Sequence, residues 1–169
     1  MLAFDITQFF PSLNYQILPF ILDKAGFDLR ISCFFNNYLI GRKTQYSWNN
    51  FSSPFFDVNI GVGQGSALYL LPVFYIFEKR PKNLKNLVFF ISFVDNNLLI
   101  SQDKSFEISN ANLFYSYCVI SLLLDHFKLV IEQEKTEVFH FFRAQGAFNP
   151  LPLDLSILGG SVLQPKEIW

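Results

Sequence analysis

Hydrophobic and polar positions along this 169-residue chain follow two periods, and the switches between them mark the predicted elements. Residues 2–10, LAFDITQFF, are rich in β-forming side chains and stop at Pro11, which cannot donate to a ladder. Ser12 or Asn14 then predicts the cap of a helix over about 14–25, bent by Pro19 and closed by Gly26. DLRISCFFNNYLI predicts a second helix ending at Gly41. KTQYSW and FSSPFFDVNIGV flank Asn49-Asn50, a pair suited to a hairpin turn, while Pro54 makes the second arm irregular or an edge.

Residues 61–67, GVGQGSA, form a glycine-rich loop that leads into an apolar helix running to about Lys79. LVFFISF and LLISQ predict a second hairpin around Asp95-Asn96-Asn97. A long helix follows, with Leu113, Tyr117, Ile120, Leu124 and Phe127 on one face at spacings of four and three. LVIEQ and EVFHFF predict two short strands, and beyond Gly146 the chain turns loop-like, with Pro150, Pro152 and Gly159-Gly160. Helices interleaved with hairpins, rather than strict βαβ units, predict an α+β domain over 1–169, an antiparallel sheet covered by helices on one face. The sequence shows no internal repeat and no linker.

Composition adds one unusual feature. Hydrophobic residues make up 51% and charged residues 16%, which excludes a disordered chain. The 22 Phe predict a large core and more apolar surface than one small domain hides, as expected of a domain separated from its neighbours. No membrane role is expected: the longest apolar run, ALYLLPVFYIF, is broken by Pro72 and falls short of the roughly 18–20 residues of a spanning helix. Net charge is −1, so a nucleic-acid partner would have to be met by local patches or metal ions. Cys33 and Cys118 lie far apart in apolar helical settings, which predicts buried thiols in a reducing, intracellular compartment. An acid at position 5 and the lack of a basic leader predict that the chain does not open with a signal peptide.

Two acids stand in surroundings built for burial: Asp5 follows Met-Leu-Ala-Phe, and Asp95 follows Ile-Ser-Phe-Val. A buried unpaired carboxylate is unfavourable by several kcal/mol, so each needs a partner. Each alone reads as a side chain bonded to a turn. Together, on neighbouring strands, they would face one site and bind a divalent cation; Mg²⁺ favours one or two protein carboxylates, with phosphates and water completing its shell. GVGQGS adds a backbone that can approach an anion, although it lacks the Lys-Ser/Thr of a P-loop. Lys135 ends a strand-like segment and by itself reads as a solvated lysine. His126 and His140 lie near no nucleophile-elbow pattern and read as packing or edge residues, which disfavours a Ser-His-Asp hydrolase. A metal-dependent nuclease would also pair carboxylates, but Gln-Gly-Ser and a hairpin Asp are not its signature.

In this order the four elements resemble the palm of a reverse transcriptase of the non-LTR retrotransposon type. FDITQFFPSL is similar to its motif A, GVGQGSAL to motif B, FVDN to motif C, LVIEQEKTEVFHF to motif D, and LQPKEIW to the start of motif E. The resemblance spans essentially the whole chain. It implies a polymerase palm-like, ferredoxin-like core and RNA-directed DNA synthesis by two-metal nucleotidyl transfer. The partners would be an RNA template, a DNA primer and dNTPs, and the cofactor Mg²⁺, for which Mn²⁺ can substitute. It further implies that Asp5 and Asp95, with the carbonyl of Ile6, hold the metals. Phe10 would lie under the deoxyribose, and Gln64, Gly65 and Ser66 would line the nucleotide site. Lys135 would protonate the leaving pyrophosphate. Asn96 stands in the catalytic pair where the family has a second Asp.

Departures from the family pattern predict impairment. Asn96 offers an oxygen without a charge. QGSAL runs into YLLPVFY without the expected Ser-Pro, as if about two helical turns of motif B were deleted. Only four residues precede Asp5 and the chain stops at motif E, so the fingers and thumb of a longer parent are expected to be missing. The rival reading is a catalytically inactive remnant that keeps the palm fold.

Overall fold

Alternation in the first strand decides the centre of the sheet. In the computed structural model of the chain, which describes residues 1–14, 16–24, 26–62, 88–141 and 151–168, strand β1 (Leu2–Ile6) buries Leu2, Phe4 and Ile6 on one face and turns Ala3 and Asp5 to the other. Residues 1–7 and 79–169 form one compact unit and residues 8–78 a second.

In the first unit, β6 (Val88–Phe93), β7 (Asn96–Ser101), β8 (Ile131–Phe141) and the short β11 (Lys166–Ile168) join β1 in the order β11-β8-β1-β7-β6. Each neighbouring pair among the four longer strands is antiparallel, and β11 runs parallel to β8. The order β8-β1-β7-β6 is that of a split βαβ, ferredoxin-like sheet, with β1 inserted between β7 and β8. Helix α4 (Phe106–His126) connects β7 to β8 and packs on the face that β1 buries. The expected stripe is its core side: Leu113, Tyr117, Ile120 and Leu124 are buried, and the Tyr117 ring meets Phe4 edge-on at 5.6 Å. Ser105 caps the helix by accepting from the Ile108 amide at 3.3 Å. The other end closes where Lys128 takes φ +59° and the Leu129 amide reaches back to the Leu124 carbonyl. The fold is therefore α+β, an antiparallel sheet with a helix on one face, as the patterning predicts.

Beyond β8 the chain adds a two-stranded pair, β9 (Leu153–Asp154) with β10 (Val162–Leu163). The two strands expected from LVIEQ and EVFHFF are one strand, β8. Its pairing with β1 slips by three residues, from Ala3 opposite Glu137 to Asp5 opposite Glu132. A bulge absorbs the extra residues without ending the strand, which local periodicity does not reveal.

In the second unit, α1 (Phe9–Ser12) precedes α2 (Leu18–Lys24) and α3 (Leu29–Leu39). The helix expected over 14–25 begins only at Leu18, because Pro19 is tolerated in a first turn and not further in. Asp28 caps α3 by accepting from the Arg30 amide at 2.8 Å. That helix buries Ser32, Phe35 and Leu39, so Cys33 falls on its solvent side, contrary to the buried thiol expected there; Cys118 is half-buried. Asn49 takes φ +51° in the turn between β3 (Ser47–Trp48) and β4 (Phe51–Ser52), while β2 (Lys43–Thr44) pairs with β5 (Phe56–Asp57). Pro54 separates β4 from β5, which accounts for the broken second arm. Among the described residues no helix is long and apolar enough to cross a membrane.

Candidate functional site

The face of the sheet opposite α4 carries most of the candidate residues. Open-face positions of β1, β6 and β7 line a cleft of about 480 Å³ with Ala3, Asp5, Ile91, Phe93, Asn96, Leu98 and Lys135. Phe89, Ile91 and Phe93 of β6 are 61%, 54% and 78% exposed, so part of the apolar surface expected from the Phe content is this open face.

Asp5 sits at its centre, opposite Asn96 in β7 and opposite Glu132 in β8. Its side chain is 18% exposed. Oδ2 accepts from the Lys135 ammonium at 3.0 Å, whereas Oδ1 is buried without a hydrogen-bond partner among the described residues. Lys135 also lies 3.4 Å from Glu132, so one ammonium bridges two carboxylates that the register holds side by side. These two acids raise the Lys135 pKa above the ordinary lysine value, Asp5 more than Glu132.

The β6–β7 hairpin turns at Val94–Asp95, one position earlier than expected: Phe93 pairs with Asn96, and Asn96 and Asn97 already belong to β7. Asn96 is therefore a strand residue facing Asp5, not a residue of the turn tip. Val94 takes φ +59°, a left-handed conformation that a β-branched side chain rarely adopts. Only the first of the two turn residues has positive φ, the pattern of a type II′ turn, where glycine is preferred. Strain of this kind persists where surrounding contacts over-determine it. Here the Asp95 carbonyl accepts from the Ile6 amide at 3.1 Å and from the Asn97 side-chain amide at 2.7 Å. The same bonds fix Asp95 beside the end of β1, and its Oδ1 accepts from the Asn96 side-chain amide at 3.2 Å.

The structure thus brings together Asp5, Ile6, Asp95, Asn96 and Lys135 in one unit. Phe10 lies in α1 of the other unit, its ring edge-on to Phe9 at 5.4 Å and its carbonyl bonded to the Val62 amide. Gln64, Gly65 and Ser66, and the helix expected after them, lie outside the described residues. Sequence reasoning missed Glu132 and Asn97. The spacing of Glu132 three residues before Lys135 was a signal for an ion pair; nothing in the sequence marks Asn97 as the brace of the turn.

Neither models of known protein families nor curated proteins give a match to this chain. The site therefore stands on its geometry. The side-chain oxygens near one another here are hard donors: the Asp5 carboxylate, the Asp95 carboxylate at the adjoining turn and the amide oxygen of Asn96 opposite Asp5. An ammonium already lies against Asp5, so positive charge is favoured there. Among the described residues no group of three or more His, Cys, Asp or Glu is placed to hold a metal, so any cation here would draw most of its shell from water or a substrate. That composition fits Mg²⁺ and does not fit a structural zinc site.

His140 has a different role. It is buried, stacks on Phe106 with centroids 4.2 Å apart, and its Nε2 lies 3.2 Å from Asn110 Oδ1. Asn110 donates its amide nitrogen to the Leu151 carbonyl, which leaves Oδ1 as acceptor and assigns the proton to Nε2. Burial lowers the His140 pKa. It is a packing residue.

Proposed function

We propose that this chain is a palm-type domain of a reverse transcriptase of the non-LTR kind, for RNA-templated DNA synthesis, and that Asn96 weakens its cation site. The observation that supports this reading best is the meeting of Asp5 with the strained Val94–Asp95 turn on the open face of a ferredoxin-like sheet. A palm needs one carboxylate from a central strand and one from a hairpin at its edge. Lys135 at the same point adds the motif D element.

In this reading Asp5 and Asp95 hold Mg²⁺, or Mn²⁺ in its place, with the Ile6 carbonyl beside them. When bound, such ions activate a primer hydroxyl and stabilise a departing pyrophosphate. The chain's own residues do the rest. The Ile6–Asp95 and Asn97–Asp95 bonds hold the second carboxylate at the strand end, and the exposed Phe93 and Ile91 give an apolar wall against which a nucleotide can stack. Lys135 holds a proton next to Asp5, placed for transfer to a leaving oxyanion. The partners are an RNA template, a DNA primer and dNTPs, in an intracellular setting.

The test is primer extension on an RNA template with Mg²⁺ and dNTPs, comparing the natural chain with Asn96→Asp. A second carboxylate should tighten Mn²⁺ binding by about tenfold without by itself restoring extension, since the shortened motif B remains. A chain that binds Mn²⁺ but extends no primer in either form is the inactive remnant. Absence of Mn²⁺ binding in both forms would remove the cation site and leave the inactive remnant that keeps the palm fold.

A further inference from the structure

One side chain is placed more elaborately than the proposed chemistry needs. Lys135 sits in the three-residue slip of β8 against β1. That slip is a built feature. Thr136, 4% exposed, donates its hydroxyl to the Glu132 carbonyl at 2.9 Å, and Gln133 meets the buried Tyr117 hydroxyl at 3.3 Å. The effect is to bring an ammonium to Asp5 Oδ2 at 3.0 Å and to Glu132 at 3.4 Å, between two acids that would otherwise repel each other across the ladder.

We propose that Lys135 is a built-in counter-ion that occupies the Asp5 carboxylate and must be displaced when a divalent cation binds there. This rests on the cation site of the proposed function and deepens it into a regulation of that site. Two positive charges a few ångströms apart repel, so the ammonium and a metal on the same carboxylate compete. The lysine side chain is 60% exposed, so it can swing into solvent at little cost. The arrangement keeps Asp5 and Glu132 compatible without a metal and sets a threshold on metal occupancy.

The experiment is Mn²⁺ titration of the full chain followed by electron paramagnetic resonance of the free ion, with Mg²⁺ competition. The chains compared are the natural one, Lys135→Met, Lys135→Gln and Lys135→Arg. Both neutral variants should bind Mn²⁺ roughly three- to tenfold more tightly than the natural chain, and Lys135→Arg should stay close to it. Adding Asp5→Asn to Lys135→Met should abolish the gain. Equal or weaker binding by the neutral variants overturns the counter-ion role while leaving the cation site standing. No binding by any of the chains is a different result, and it removes the site itself.

Discussion

Replacing Asp5 by Ala separates a carboxylate kept for function from one kept for the fold. Its side chain is 18% exposed, and Oδ1 is buried with no hydrogen-bond partner among the described residues. A buried acceptor left unsatisfied costs about 1–3 kcal/mol, which Asp5→Ala recovers. Against this stands the loss of the contact with Lys135, a small term because that ammonium is largely in solvent and keeps Glu132 as a partner. The balance is a gain of about 1 kcal/mol, which for a chain of this size raises the melting midpoint by roughly 2–4 °C. The assay is thermal and urea unfolding followed by far-ultraviolet circular dichroism, with and without Mg²⁺. The cation should raise the midpoint of the natural chain more than that of Asp5→Ala, which keeps the Asp95 carboxylate but loses the central one. A variant destabilised by about 1 kcal/mol or more would show instead that Asp5 is a structural carboxylate, held in the sheet by its contact with Lys135.

Two further outcomes test the scaffold. Gly61 takes φ +76°, and a Cβ there would lie 2.7 Å from the Pro11 carbonyl oxygen, so Gly61→Ala should lower the stability of the second unit by about 2 kcal/mol or more, read as a reduced urea midpoint. The lowered pKa of His140 means that between its folded value and the ordinary value near 6.5 the unfolded chain binds more protons, so its contribution is full above about pH 6.5 and is lost as pH falls below it; a histidine ring-proton titration placing His140 at or above 6.5 would contradict the burial argument.

The long helix was legible because its stripe of Leu113, Tyr117, Ile120 and Leu124 repeats with the helical period, and only one face of that segment can be buried. In β1 it is the structure that turns Asp5 to the face away from Leu2, Phe4 and Ile6; the apolar run around it hides the alternation. The hairpin turn was misplaced by one residue, since Asp-Asn-Asn carries stronger turn chemistry than Val-Asp. Contacts from Ile6 and Asn97 hold Val94 in a conformation that its own side chain disfavours. Cys33 is exposed despite its apolar neighbourhood, because local sequence does not say which face of α3 is covered.

The α+β class, the two acids out of keeping with their strands and the order of the four motif-like segments can all be read along the chain. Each depends on neighbours within a few positions, where period and side-chain chemistry act. That Asp5 faces both Asn96 and Glu132, that β8 is one slipped strand rather than two, and that the slip delivers Lys135 to Asp5 across 130 positions of sequence emerge from the folded sheet alone. Register is set by burying one face of a whole sheet at once, and no local stretch of sequence contains that constraint.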